Sequence, residues 1–178
     1  MEKQNIFVFK VLTVVAWIIF VALSIEAGAL LFNFIYSLFK PEVAKYLYNK
    51  LDLSEMYNRS KGIFVMMHSL ILVIAILKSV LFYNVIQLTS KLDLDKPFSS
   101  FVSQKISSIS YITFVIGFVS IVARQIAKNL SHKGYDIDML NAFWVDSQAY
   151  ILMAGVIYII AKIFKRGIEL QTENDSTI

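Results

Sequence analysis

Glu26 and Lys78 are an acid and a base set within long runs of Val, Ile, Leu and Phe. An ionisable side chain in hydrocarbon is costly. It marks an inward-facing contact, a polar path or a proton relay. Ala22, Glu26, Ala29, Asn33 and Tyr36 recur at spacings of four and three, which places them on one face of a helix. Small residues on such a face allow close helix approach, and polar ones bond across it. Glu26 stands thirteen residues before Phe39 and Lys78 sixteen after Gly62, on the two sides of one loop. At about 1.5 Å per residue their depths differ by only ~5 Å, which a lysine stem can bridge. Two readings stay open: a Glu26–Lys78 pair that sets the register of two helices, or a snorkelling Lys78 beside a protonated Glu26.

Ser103, Ser110, Gly117 and Arg124 fall at seven-residue intervals, with Ser107 on the same face. This predicts a helix–helix seam, with a polar conduit as the sharper alternative. Arg124 lies near the end of its apolar run and Asp146 near the adjoining start of the next. At that shared boundary they could pair or stand apart as two headgroup-level charges. His68 shares a face with Ala75 and Ser79 and has Lys78 at its flank. A hydrogen-bonded interior histidine is the plain reading and a proton switch the sharper one.

Catalysis asks for a nucleophile beside a base, or for paired acids in a cleft. Glu26 has no histidine or second acid in its own apolar run, and the serines form stripes without a basic partner. A non-enzyme is expected. With no cysteine, disulfides and thiolate metal sites are excluded. His68 and His132 lie on different segments, and Asp136 with Asp138 is too small a set to argue a metal, so no metal or cofactor is expected.

These residues must be held by four apolar stretches, at roughly 11–39, 62–89, 106–127 and 142–164. Each meets the requirement of about 20 residues for crossing a hydrocarbon core. The 178 residues are 57% hydrophobic and 17% charged, with a mean hydropathy of +0.64, where soluble domains carry about 25% charged residues. The expected fold is all-α: a four-helix transmembrane bundle forming one integral membrane domain over 1–178, with no room for a second soluble domain. The net charge of +4 sits at segment ends, where it meets lipid headgroups. No clustered basic face supports direct nucleic-acid binding. Lys162, Lys165 and Arg166 read as headgroup anchors of the fourth span. Lys3, Lys10 and Ala27-Gly28-Ala29 imitate a cleavable signal, but the apolar run continues to Phe39. The first segment is therefore expected to be retained as a span.

The loop 40–61 is the largest soluble piece. Pro41-Glu42 suits a helix start, and Val43, Leu47 and Leu51 follow at helical spacing. A short amphipathic helix on the membrane surface and a compact cap on the bundle are both compatible with it. Asn58-Arg59-Ser60 fits the glycosylation pattern, as short motifs do by chance. Pro97 in the second loop suits another helix start, Gly134 breaks the third loop, and 167–178 forms a polar tail.

Seven basic residues lie on each side of the membrane plan. Lys3, Lys10, Lys91, Lys96, Lys105, Lys165 and Arg166 belong to the side of the termini. Lys40, Lys45, Lys50, Arg59, Lys61, Lys128 and Lys133 belong to the other. The positive-inside rule is thus balanced. The greater share of acids in the first and third loops leans the expectation to both termini in the cytoplasm.

The tail Glu173-Asn174-Asp175-Ser176-Thr177-Ile178, just after a basic helix end, resembles the C-terminal signature of the bacterial membrane family called domain of unknown function 2975. Lys96-Pro97-Phe98-Ser99 resembles that family's middle motif, and the four-span plan with a sizeable first loop agrees. Ser176 departs from the pattern, standing where an apolar residue is expected. Genes of this family often lie beside one for a small Cro-type helix-turn-helix regulator. The resemblance therefore implies the membrane half of a sensor–regulator pair in the bacterial inner membrane. Its docking surface would be formed by Lys96, Pro97 and Phe98 with Glu173, Asn174 and Asp175. Two other classes remain: a small transporter or permeation subunit, alone or as a homo-oligomer, with Glu26, Lys78 and the serine stripe lining a path; and an immunity or accessory protein bound to another membrane protein.

Overall fold

The computed structural model describes residues 2–92, 97–144 and 146–175. Among these described residues five α-helices follow in order: α1 (Glu2–Phe39), α2 (Ser54–Arg59), α3 (Lys61–Lys91), α4 (Ser100–His132) and α5 (Ser147–Asp175). Short 3₁₀ turns occupy Pro41–Lys45, Tyr48–Lys50 and Asp138–Phe143. Among the described residues there is no strand. The fold is all-α, and α1, α3, α4 and α5 belong to four stretches long and apolar enough to cross a membrane. At about 1.5 Å per residue, the 38-residue α1 is a rod of ~57 Å, longer than the ~30 Å hydrocarbon core.

The long helices pack in chain order, α1 on α3, α3 on α4 and α4 on α5. The middle two are the interior of the molecule. Their most apolar windows are 39% and 44% buried, against 6% for α1 and 17% for the last span. Ile18, Ile25 and Phe32 on α1, and Ile159 and Ile163 on α5, are exposed and form the coat offered to lipid tails.

Local chemistry sets the helix ends. Lys40 before Pro41 is extended (φ −129°), which stops α1. Ser99 caps α4 by accepting the Val102 N–H at 3.3 Å. Gly134 (φ +77°) closes the other end of α4 in a Schellman motif. Its N–H donates to the Ser131 carbonyl at 2.9 Å, and that of Tyr135 reaches back to Leu130 at 3.2 Å.

Two apolar clusters hold the bundle. The larger joins Leu30, Phe64, Ile71, Ala123 and Ala127 of the spans to Leu47, Leu51, Leu53 and Met56 of the first loop and to Trp144. Of the two forms open to loop 40–61, the compact cap is the one adopted. Its leucines point into the bundle end, and the Leu53 N–H donates to the Ala44 carbonyl at 2.8 Å. The smaller cluster, at the opposite end, gathers Val102, Ile106 and Ala161 with Leu88, Phe101 and Phe164.

Candidate functional site

The cap is locked to the third loop by one guanidinium. Arg59 donates to the carbonyls of Gly134 (2.6 Å) and Lys133 (3.1 Å), pairs with Glu55 (2.8 Å) and lies 3.9 Å from the centre of the Tyr135 ring. The other oxygen of Glu55 accepts the Asp136 N–H at 3.2 Å. The Arg59 hydrogen bond, and then that of Asp136, hold the Glu55 carboxyl below the usual carboxylate range. This works because Glu55 and Arg59 are four apart on α2 and share a face. The Schellman turn after α4 frees two carbonyls toward them. On the cap lies an open pocket of about 560 Å³ lined by Glu42, Lys45, Tyr46, Ser54 and Asn58. It offers one acid, one base, two hydroxyls and an amide, the chemistry for a small polar or zwitterionic molecule.

Within the spans, Glu26 and Lys78 form no ion pair, which corrects the paired reading. The reason is a rotation of the seam. Among the described residues of α1, Ala16, Ala27, Leu30 and Ser37 are buried, about one residue (~100°) around the helix from the face predicted to pack. Ala22 and Tyr36 of that face are exposed, and Glu26, Ala29 and Asn33 are half-buried at the flank. Ser24 and Ser79 meet instead, at 2.8 Å. Arg124 likewise forms no ion pair with Asp146. It donates to the Trp144 carbonyl, while Asp146 is exposed.

His68 is fully buried. Its Nε2 lies 3.1 Å from the Leu30 carbonyl, and the rings of Phe34 and Phe64 lie 4.9 and 5.5 Å away. Its Nδ1 has no hydrogen-bond partner among the described residues. This is the interior histidine of the plain reading, fastening α3 to α1.

The seam of α4 is real over half its length. Ser110 and Gly117 are buried against α5, Ser103 is half-buried and Ser107 exposed. A Cβ on Gly117 would stand 2.8 Å from Ile151 Cδ1 and 3.1 Å from its backbone nitrogen. Ser110 donates to the Ala154 carbonyl (2.9 Å), Ser107 to Ser103 (2.8 Å) and Thr113 to Ile109 (2.7 Å). These hydroxyls are spent on backbone acceptors. Among the described residues, no three His, Asp or Glu side chains are placed to share a metal ion.

At the other end of the bundle Phe98 lies on α5. Its ring centre is 5.4 Å from that of Phe164, and a Cβ on Gly167 would meet it at 2.6 Å. Pro97 is half-buried beside it and Glu173 exposed on the last turns of α5, which continues as helix to Asp175. Lys96 and Ser176 to Ile178 lie outside the described residues, as do the side chains of Asn174 and Asp175.

Residues 46–178, three loops and three spans, match the family described as a protein of unknown function (DUF2975). The chain belongs to the DUF2975 family. No curated protein and no solved structure matches it. In this DUF2975 protein the helix-capping Ser99, the Phe98–Gly167 contact and the Arg59 clasp all fall inside the matched stretch, and α1 precedes it. Sequence reasoning passed over the clasp and the Ser24–Ser79 bond. Glu55 and Arg59 carried a readable signal, the four-residue spacing. The acceptors of Arg59 are backbone carbonyls, which no side-chain pattern betrays.

Proposed function

We propose that this DUF2975 protein is a non-enzymatic membrane partner or sensor for a small cytoplasmic helix-turn-helix regulator. It would sit in the bacterial inner membrane with both termini in the cytoplasm. The regulator is implied by the family resemblance. The observation that carries the reading is the contact of Phe98 with Phe164 and Gly167. It fastens Phe98 of the middle motif to the basic end of α5, and the docking surface would be built around that contact. At the opposite end the cap, clasped by Arg59, offers its polar pocket to a small molecule outside the cytoplasm. The central helices α3 and α4 touch both ends and give a signal a rigid route. A transport role draws less support, because the seam hydroxyls bond to helix backbone rather than line a path.

The test is co-expression with the helix-turn-helix protein encoded beside the gene, followed by purification in detergent. The complex should survive on the full chain and be lost on deletion of residues 173–178 or in Phe98→Asp. Equal recovery with those variants would sink the docking role. Ion flux in liposomes that disappears in Glu26→Gln would move the protein to the transport class.

A further inference from the structure

We infer that the ends of α3 and α4 build a binding site for the phosphate of an anionic phospholipid, with Lys91, Lys105, Phe101 and Asn84 as its parts. Both ammonium groups converge on one aromatic ring. Lys91 Nζ lies 5.2 Å and Lys105 Nζ 5.9 Å from the centre of Phe101. Two cations held at one ring raise the local positive potential, which an anion between or beside them would relieve. Lys105 is half-buried, and its ammonium has three N–H groups. One goes to Asn84 Oδ1 at 3.2 Å. Asn84 is buried, and its own Nδ2 donates to the Val80 carbonyl at 2.9 Å, which fixes the amide with its oxygen toward the lysine. The remaining donors need acceptors, and no acid forms an ion pair with either lysine among the described residues. Asp93 and Asp95 follow Lys91 in the sequence, so the loop as a whole is nearly neutral. The convergence on Phe101, not bulk charge, therefore singles out these lysines.

Position selects the source of the phosphate. Lys91 is the last residue of α3 and Lys105 lies in the second turn of α4, so the pair stands at the adjoining ends of two spans. A headgroup phosphate lies at that depth, and basic clefts between spans bind such groups. The ring of Phe101, part of the apolar cluster at this end, supplies an apolar wall below it.

The protein is reconstituted into phosphatidylcholine vesicles with and without phosphatidylglycerol. Bound phosphatidylglycerol is then counted by native mass spectrometry after extraction. The intact chain should retain it, and Lys91→Gln/Lys105→Gln should lose about 25-fold, at roughly fivefold per lysine. Lys91→Arg/Lys105→Arg should keep it, which separates a lost site from a lost fold. An equal loss in Lys165→Gln/Arg166→Gln would mean diffuse charge and overturn the site. So would equal retention by the double glutamine variant. If inorganic phosphate raises the melting temperature in detergent as much as the lipid does, the site takes a soluble anion and the lipid assignment falls.

Discussion

Ser24 and Ser79 share a hydrogen bond of 2.8 Å between α1 and α3, one turn or less from Glu26 and Lys78, which form no ion pair. This polar link between the first two spans is thus neutral. A neutral bond of this kind costs little to desolvate and holds at any pH that leaves the bundle intact.

Double-mutant cycles should therefore separate the two pairs. Ser24→Ala with Ser79→Ala should show a coupling of about 0.6 kcal/mol, the usual size for hydrogen bonds between spans. Glu26→Gln with Lys78→Met should add to within about 0.5 kcal/mol. Reversible unfolding in detergent measures both, and strong coupling of the charged pair would contradict the geometry.

Gly117 should not tolerate even alanine without cost. An alanine Cβ would press within 2.9 Å of two Ile151 side-chain carbons and 3.1 Å of its backbone nitrogen. A destabilisation of about 1–3 kcal/mol is expected for such overpacking. Gly155→Ala meets nothing within 4 Å and should lose no stability. Ile151→Ala should partly rescue Gly117→Ala if the side chain, more than the backbone, carries the clash.

The cap clasp should open in acid. The Glu55 carboxyl is held below the usual carboxylate range by the hydrogen bonds from Arg59 and Asp136. A depressed folded-state value means that the contribution is present above the unfolded-state value and is lost as pH falls through the folded one. The clasp should stay closed at neutral pH and release below the usual carboxylate range. The chain has no cysteine, so spin labels can be placed at engineered Asn58→Cys and Asp138→Cys. Their distance distribution should broaden on acidification. In Glu55→Ala it should be broad already at neutral pH.

His68 should behave as a packing residue. His68→Leu gives up the bond to the Leu30 carbonyl but also removes a buried, unpartnered Nδ1. The two effects, each about 1 kcal/mol, oppose one another. His68→Ala leaves a void between Phe34 and Phe64 and should cost about 2–5 kcal/mol, as other large-to-alanine changes in cores do. If the leucine variant instead unfolds as readily as the alanine one, the Leu30 bond matters more than the packing.

Hydrophobic run length alone settled the solvent and the number of spans, because about twenty consecutive apolar residues have few other stable homes. Proline and glycine placed helix ends at Lys40-Pro41 and Gly134, where backbone sterics act on one or two residues. The face of each helix was a different matter. On α4 the seven-residue repeat found the true seam at Ser110 and Gly117, since a glycine there is needed for Ile151 to approach. On α1 the small and polar stripe through Glu26 lost to the face of Ala16, Ala27 and Leu30. In a span coated by lipid, hydrophobicity does not distinguish the packed face from the exposed one, so pattern alone could not choose. The clasp, the cap and the convergence of Lys91 and Lys105 on Phe101 join residues from separate helices and loops through backbone carbonyls and a ring. Such contacts exist only after the chain has closed on itself, and the tertiary structure alone decided them.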